Sequence, residues 1–370
     1  SRWGGLKDQP EFSVVYESWA RYLLIVYGTF VGDEELFIRH TYLSTLAKLM
    51  AWRRLTGERT APDDDQILSL LEGQFFKEQG IENFLEEDFF SWVARENAKV
   101  TGVETARQLL SLLQNYNLRE LSEDVLKSLY QELVDPETRH DLGEYYTPDW
   151  LAHRMIRRLL EENPQGKLLD PSCGSGTFLY LAVGEKRERL GDTRQTLEHI
   201  LESVVGVDIH PLAVTVAKTN YILALGDLLG KRRGKISIPI YLADTIRLPE
   251  RWADTPMADY EVTIDDQTIY LPQALLESPE LYDEAIEAAK EFAVRNVGRQ
   301  PTIELFTNYL RAQHANLLEN DVPVHKLFII SKALGDCFGA NSAPTQKLAS
   351  FCPLEWRAAP WPTRNDTSSY

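Results

Sequence analysis

A chain of 370 residues has room for two or three domains, and 44% hydrophobic residues supply a sizeable core. A formal charge of −17 argues against a surface built for phosphate backbones, so any contact with nucleic acid would have to be local. Three cysteines without metal-type spacing argue against structural zinc and fit a reducing compartment, and with no run of about 18 apolar residues in view a membrane span is not expected.

The opening Ser1-Arg2-Trp3-Gly4-Gly5 does not read as a secretory leader, and a cytoplasmic location is the expectation. Up to about residue 140 the apolar spacing is helical. Asp33-Glu34-Glu35 opens a segment in which Leu36, Tyr42, Leu43, Leu46, Leu49 and Met50 recur at helical spacing. Arg53-Arg54 close it, where the helix dipole favours cations. Further apolar-periodic helices are predicted around residues 67–76, 84–93 and 106–113. Ser122 is a candidate N-cap for a helix carrying Val125, Leu126, Leu129, Tyr130 and Leu133. The acidic runs Asp63-Asp64-Asp65 and Glu86-Glu87-Asp88 read as helix-start or loop charges, and no metal site is assigned.

Next comes Gly143-Glu144-Tyr145-Tyr146-Thr147-Pro148, with Thr147 placed to cap, and Pro148 to begin, a helix through Leu151, Met155, Ile156 and Leu159. Leu168-Leu169-Asp170 reads as a buried strand, Pro171 to Gly176 as a tight turn, and the residues from Phe178 as a helix. This is the first βα unit of a nucleotide-type α/β fold, where glycine permits φ > 0 and the helix start offers unpaired N–H groups. Val204 to Asp208 reads as a second strand ending in an acid, which either caps the next helix or accepts from both hydroxyls of a ribose. His210, in the turn that follows, reads as incidental. A third strand is predicted over residues 238–243, ending in Asp244-Thr245. Just before it, Lys231-Arg232-Arg233-Gly234-Lys235 is the densest positive cluster, a solvated loop or a phosphate contact. Arg154, Arg157 and Arg158 fit one helix face.

The wording of these loops is more specific than their shape. Asp170-Pro171-Ser172-Cys173-Gly174-Ser175-Gly176-Thr177-Phe178 resembles motif I of the amino-group DNA methyltransferases. Residues 143–148 resemble motif X of the adenine-specific class, and Gly206-Val207-Asp208-Ile209-His210-Pro211 with Ala213 and Val214 resembles motif II. Asp244 stands where motif III places its acid. The resemblance implies an α/β fold of the class I methyltransferase (Rossmann-like) kind, a mostly parallel sheet preceded by an all-helical N-terminal domain. It implies S-adenosyl-L-methionine as cofactor, held by Tyr145, Tyr146, Thr147, Pro148, Asp170, Pro171, Cys173, Gly174, Gly176, Asp208, Ile209, Asp244 and Thr245. In the family, the tyrosines and Thr-Pro cover the methionine part, Asp170 and the Gly174 region surround the methionine end, and Asp208 takes the ribose. Asp244 would accept from the adenine amine. The implied activity is methyl transfer to adenine N6 in double-stranded DNA within a restriction-modification system, with a nuclease or target-recognition domain outside this chain.

Other readings stay open. Related enzymes methylate cytosine N4 or a protein glutamine on the same fold, and a non-catalytic cofactor-binding or DNA-docking subunit is the alternative from another class. A nicotinamide dehydrogenase is disfavoured, because Phe178 replaces the third small residue of the dinucleotide fingerprint and an Asp precedes the glycines. The family's catalytic tetrapeptide, Asn/Asp/Ser-Pro-Pro-aromatic, which holds and stacks a flipped base, is not found. Asn163-Pro164-Gln165 lies before motif I, and Ala359-Pro360-Trp361 lacks the polar first residue. No catalytic residue is assigned, and the chain is expected to end or leave its natural frame before that motif. Residues 262–271 predict a hairpin around Asp265-Asp266, followed by helices over 274–294, 302–318 and 324–334. The domain reading is therefore a helical domain (1–140), a cofactor-binding core (141–256), a hairpin plus helical insertion (257–335) and an irregular tail (336–370).

Overall fold

In the computed structural model the described residues are 10–27, 32–57, 62–85, 89–95, 97–118, 125–134, 136–141, 145–245, 251–252, 259–264, 267–272, 275, 278–296, 299–320 and 322–339. The chain is predominantly helical with a small parallel sheet, and it divides into two compact units, 1–245 and 246–370.

The first described helix of the first unit is α1 (Pro10–Tyr27), within the region read as helical although the sequence assigns it no bounds of its own, and α2 (Glu34–Thr56) follows. Asp33 caps α2 by accepting the Leu36 N–H at 2.7 Å, and Gly57 ends it in the left-handed region with its N–H on the Arg53 carbonyl. The Asp63 run is a helix start, as expected: Asp63 and Gln66 form a capping box for α3 (Asp64–Leu71). α4 (Gln74–Glu78), α5 (Lys99–Leu113), α6 (Val125–Leu133) and α7 (Pro136–Asp141) follow. The helix predicted over 84–93 is absent among the described residues. Turns and a single 3₁₀ turn, Ser91–Ala94, stand in its place. Phe84, Phe89, Phe90, Trp92 and Val93 are all buried there, so the apolar spacing reflects packing without regular structure. Ser122 and the run 86–88 lie outside the described residues.

The parallel sheet follows. α8 (Asp149–Glu162), β1 (Leu168–Asp170), α9 (Thr177–Leu190), α10 (Arg194–Ser203), β2 (Val204–Asp208), α11 (Pro211–Leu225) and β3 (Ile240–Leu242) alternate along the chain. The strand order is β1-β2-β3, with Asp170 beside Gly206 and Asp208 beside Leu242. The third strand is shorter than predicted because Ile238 pairs elsewhere. Its N–H donates to Asn83 Oδ1 at 2.7 Å and its carbonyl accepts from Asn83 Nδ2 at 2.8 Å, while Ile236 bridges Ile81.

α11 is the central helix, buried along its length except at Ala213 and packed against both α2 and α9. Pro211–Lys231 is long and apolar enough by length and composition to cross a membrane, against the expectation of no such segment; 89% of its most apolar 18-residue stretch is buried inside the fold. Burial from several sides explains that composition.

In the second unit β4 (Arg251–Trp252), β5 (Asp259–Ile264) and β6 (Gln267–Pro272) form an antiparallel sheet. Ile264 pairs with Gln267, as the hairpin prediction requires; Asp265 and Asp266 lie outside the described residues. Helices Pro279–Arg295, Ile303–Gln313, Ala315–Glu319 and Val324–Gly339 enclose a core around Ile286, Phe292, Phe306 and Leu327. The last helix runs past residue 335, where an irregular tail was expected. Residues 340–370, with Cys352 and Trp361, lie outside the described residues.

Candidate cofactor site at the strand ends

Each parallel strand ends in an acid or leads directly to one, and the sheet brings these ends together. Asp170 closes β1, Asp208 closes β2, and Asp244 stands just past β3. The turn after β1 is laced to β2. The Cys173 N–H donates to the Val207 carbonyl at 2.9 Å, and the Gly174 N–H donates to Asp208 Oδ2 at 2.7 Å. The loop after β3 joins them: the Ala243 N–H reaches the Asp208 carbonyl at 2.9 Å, and the Thr245 hydroxyl donates to the Pro171 carbonyl at 3.0 Å.

The glycines of the turn have separate tasks. Gly174 has φ +54, a conformation that other residues adopt at a cost. Gly176, at φ +83 ahead of α9, also faces α11 closely: a Cβ there would lie 3.0 Å from Ala217 Cβ. From the same helix Asn220 donates from Nδ2 to the Ser175 carbonyl at 2.9 Å, so α11 supports the turn.

Burial raises the Asp208 carboxyl above its ordinary range, against the pull of the N–H groups of His210, Gly174 and Ile209. Asp170 is raised too, chiefly by burial and further by the charge of Asp208, while the Ser172 N–H opposes the rise. Cys173 is buried against Gly206. Burial, with the two carboxylates nearby, pushes its thiol well above the usual range and keeps it protonated. Two acids held close at one end of a sheet suit a ligand that brings hydroxyl donors or a positive charge.

The segment 145–148 lies against this turn through Tyr146, whose Cε1 is 3.9 Å from the point a Gly174 Cβ would occupy. Tyr145 is 76% exposed and has His140 as its ring neighbour at 6.0 Å. Pro148, not Thr147, is the N-cap of α8, which starts at Asp149; the expectation was one residue early. Ile209 contributes its carbonyl to the Tyr22 hydroxyl at 2.8 Å. His210 is not incidental. It caps α11, with Nδ1 accepting from the Leu212 and Ala213 N–H groups at 3.2 and 3.4 Å, and its own N–H donates to Asp208 Oδ1 at 2.8 Å. Pro211 at the first helical position was the signal for this, because the residue before such a proline is the cap. Burial lowers His210 to about 4. The basic loop is tied down by the fold itself: Lys231 bonds the Asp192 carbonyl, Arg232 the Gln79 and Leu229 carbonyls, and Lys235 pairs with Glu82. Among the described residues no cluster suited to a metal ion is present.

Several partners of these loops come from the helical segments and had no signature in the sequence. Tyr22, His40, Lys127 and Tyr130 are the clearest cases. His40 is fully buried, with its ring 5.1 Å from His210 and 5.8 Å from Tyr130.

Comparison with known proteins places the chain near one group of enzymes in sequence. Residues 121–263 match the sequence model of a family described as N-6 DNA Methylase. Over 137 residues the chain is 31% identical to an adenine-specific methyltransferase of Streptomyces coelicolor, covering 32% of this chain and 11% of that protein. Over 236 residues it is 25% identical to a putative type II restriction enzyme and methyltransferase of Methanocaldococcus jannaschii, covering 46% and 20%. Over 119 residues it is 24% identical to a type I restriction enzyme methylase subunit of Escherichia coli, covering 32% and 24%. The chain thus spans about a tenth to a quarter of the length of these relatives. Residues 121–263 thus resemble the N-6 DNA methylase family, and the relatives that the chain matches are named as adenine-specific or restriction-modification methyltransferases.

Proposed function

We propose that residues 145–245 bind S-adenosyl-L-methionine as the first half of a class I methyltransferase core behind an all-helical N-terminal domain, and that this protein methylates adenine N6 in double-stranded DNA. The observation that carries the reading is the convergence of Asp170, Asp208 and Asp244 at one end of a parallel sheet, around a turn whose Gly174 N–H is already fixed on Asp208. These acceptors suit the cofactor. Asp208 has both oxygens oriented by backbone N–H groups and keeps acceptor capacity for a ribose hydroxyl, and Asp170 offers negative charge to a cationic sulfonium and ammonium. Tyr146 supplies an aromatic wall over the glycine turn. When bound, the cofactor supplies an electrophilic methyl group. The chain's own part is to hold that group in place against an incoming amine, a contribution of proximity and orientation.

A second reading, cofactor binding without transfer by this chain, is favoured by one observation: its 370 residues contain no Pro-Pro pair with which to build the base-holding tetrapeptide. A flipped adenine would then lack its acceptors and stacking partner. Tritiated methyl transfer to DNA lacking adenine methylation separates the two. Label appearing at adenine N6 supports the enzyme. Binding of cofactor without label supports the second reading, and neither binding nor label refutes both.

A further inference from the structure

Resting on the cofactor reading above, we infer that Lys127 is a positioning residue for the methionine end of the pocket. It acts by clamping the segment that carries Tyr146. Residues 145–148 form no helix or strand, so their placement over the glycine turn depends on side chains from elsewhere. α6 supplies them from one face. The Lys127 ammonium is buried, donates to the Thr147 carbonyl at 3.4 Å and forms an ion pair with Asp149 in the first turn of α8. One turn on, the Tyr130 ring packs edge-on against Tyr146 with centroids 6.1 Å apart. Tyr146 is therefore gripped on its ring by Tyr130 and just beyond its backbone by Lys127, while its ring edge faces Gly174.

An ion pair to Asp149 alone would fix only the start of α8. The additional bond to the Thr147 carbonyl reaches into the irregular segment, which is why the lysine bears on ligand geometry as well as stability. Removing its charge leaves Asp149 without the cation that faces it and frees the strap that presents Tyr146. Ligands that fill the methionine end should feel the loss, and a nucleoside without that end should not.

The test is calorimetry on the 370-residue chain with S-adenosylhomocysteine and with 5′-methylthioadenosine, which lacks the amino-acid end, alongside thermal unfolding. K127M should weaken S-adenosylhomocysteine about tenfold, the scale of one charge-assisted hydrogen bond, and change methylthioadenosine less than about twofold. K127R should restore most of the loss. D149N, which keeps the lysine but loosens its anchor, should show the same selectivity and carries the test if K127M does not fold. Unchanged affinity in K127M, or an equal loss for both ligands with a lowered Tm, would overturn the role of Lys127. A wild-type chain that binds neither ligand would instead remove the cofactor reading itself.

Discussion

His210 offers a quantitative test of how the turn after β2 is built. In the folded chain burial lowers it to about 4, against an ordinary value of 6.5. Between those values the unfolded chain binds a proton that the folded chain refuses, so stability is fully present above pH 6.5 and falls as the pH drops toward 4. The span corresponds to about 3 kcal/mol in total, of which about 2 kcal/mol is lost by pH 5, using roughly 1.4 kcal/mol per pKa unit. His40 adds to the loss in the same direction, since burial and the neighbouring His210 hold it well below the usual range. The variant H210N keeps an acceptor for the Leu212 and Ala213 N–H groups and removes the titration. Urea unfolding of wild type and H210N at pH 7.5 and pH 5 should show the acid loss shrink by about 2 kcal/mol in the variant. An acid loss of the same size in both proteins would mean that His210 is not the group responsible.

Other outcomes follow from the same structure. N83A strips the Ile238 N–H and carbonyl of their buried partners and should lower stability by about 2–6 kcal/mol in urea unfolding, at about 1–3 kcal/mol for each orphaned group. G176A must hold a Cβ at φ +83 and 3.0 Å from Ala217; it should cost at least about 1–2 kcal/mol and weaken cofactor binding measured by calorimetry. Because Asp170 and Asp208 are both raised, affinity for the cationic cofactor should fall as pH is lowered through the carboxylate range. The neutral S-adenosylhomocysteine sulfur should make its own fall shallower, which titrations at several pH values would show.

Local chemistry was the legible part of this molecule. Asp33 and Arg53-Arg54 bracket α2 because caps and dipoles act within one turn, and the Asp170 to Gly176 turn was readable because glycine and aspartate there answer to backbone geometry. What required the fold was tertiary. Lys127 meets Asp149 and Thr147 across the segment between α6 and α8, and Asn83 meets Ile238 from a distant part of the chain; no period or cap announces either pairing. The misread helix over 84–93 has a related cause, since five buried apolar side chains mimic helical spacing while the backbone turns. The apolar length of α11 likewise reflects its central place among α2, α9 and the sheet.

In the proposed site Asp208, at the end of β2, anchors S-adenosyl-L-methionine. Isothermal titration of the chain with the cofactor, in wild type and D208A, tests it most directly. One cofactor should bind per chain, more tightly than NAD, and D208A should weaken it about ten- to a hundredfold, matching roughly 1.5–3 kcal/mol for bonds to a charged acceptor. Equal affinity in the two proteins would take Asp208 out of the site, and tighter binding of NAD than of S-adenosyl-L-methionine would contradict the account as a whole.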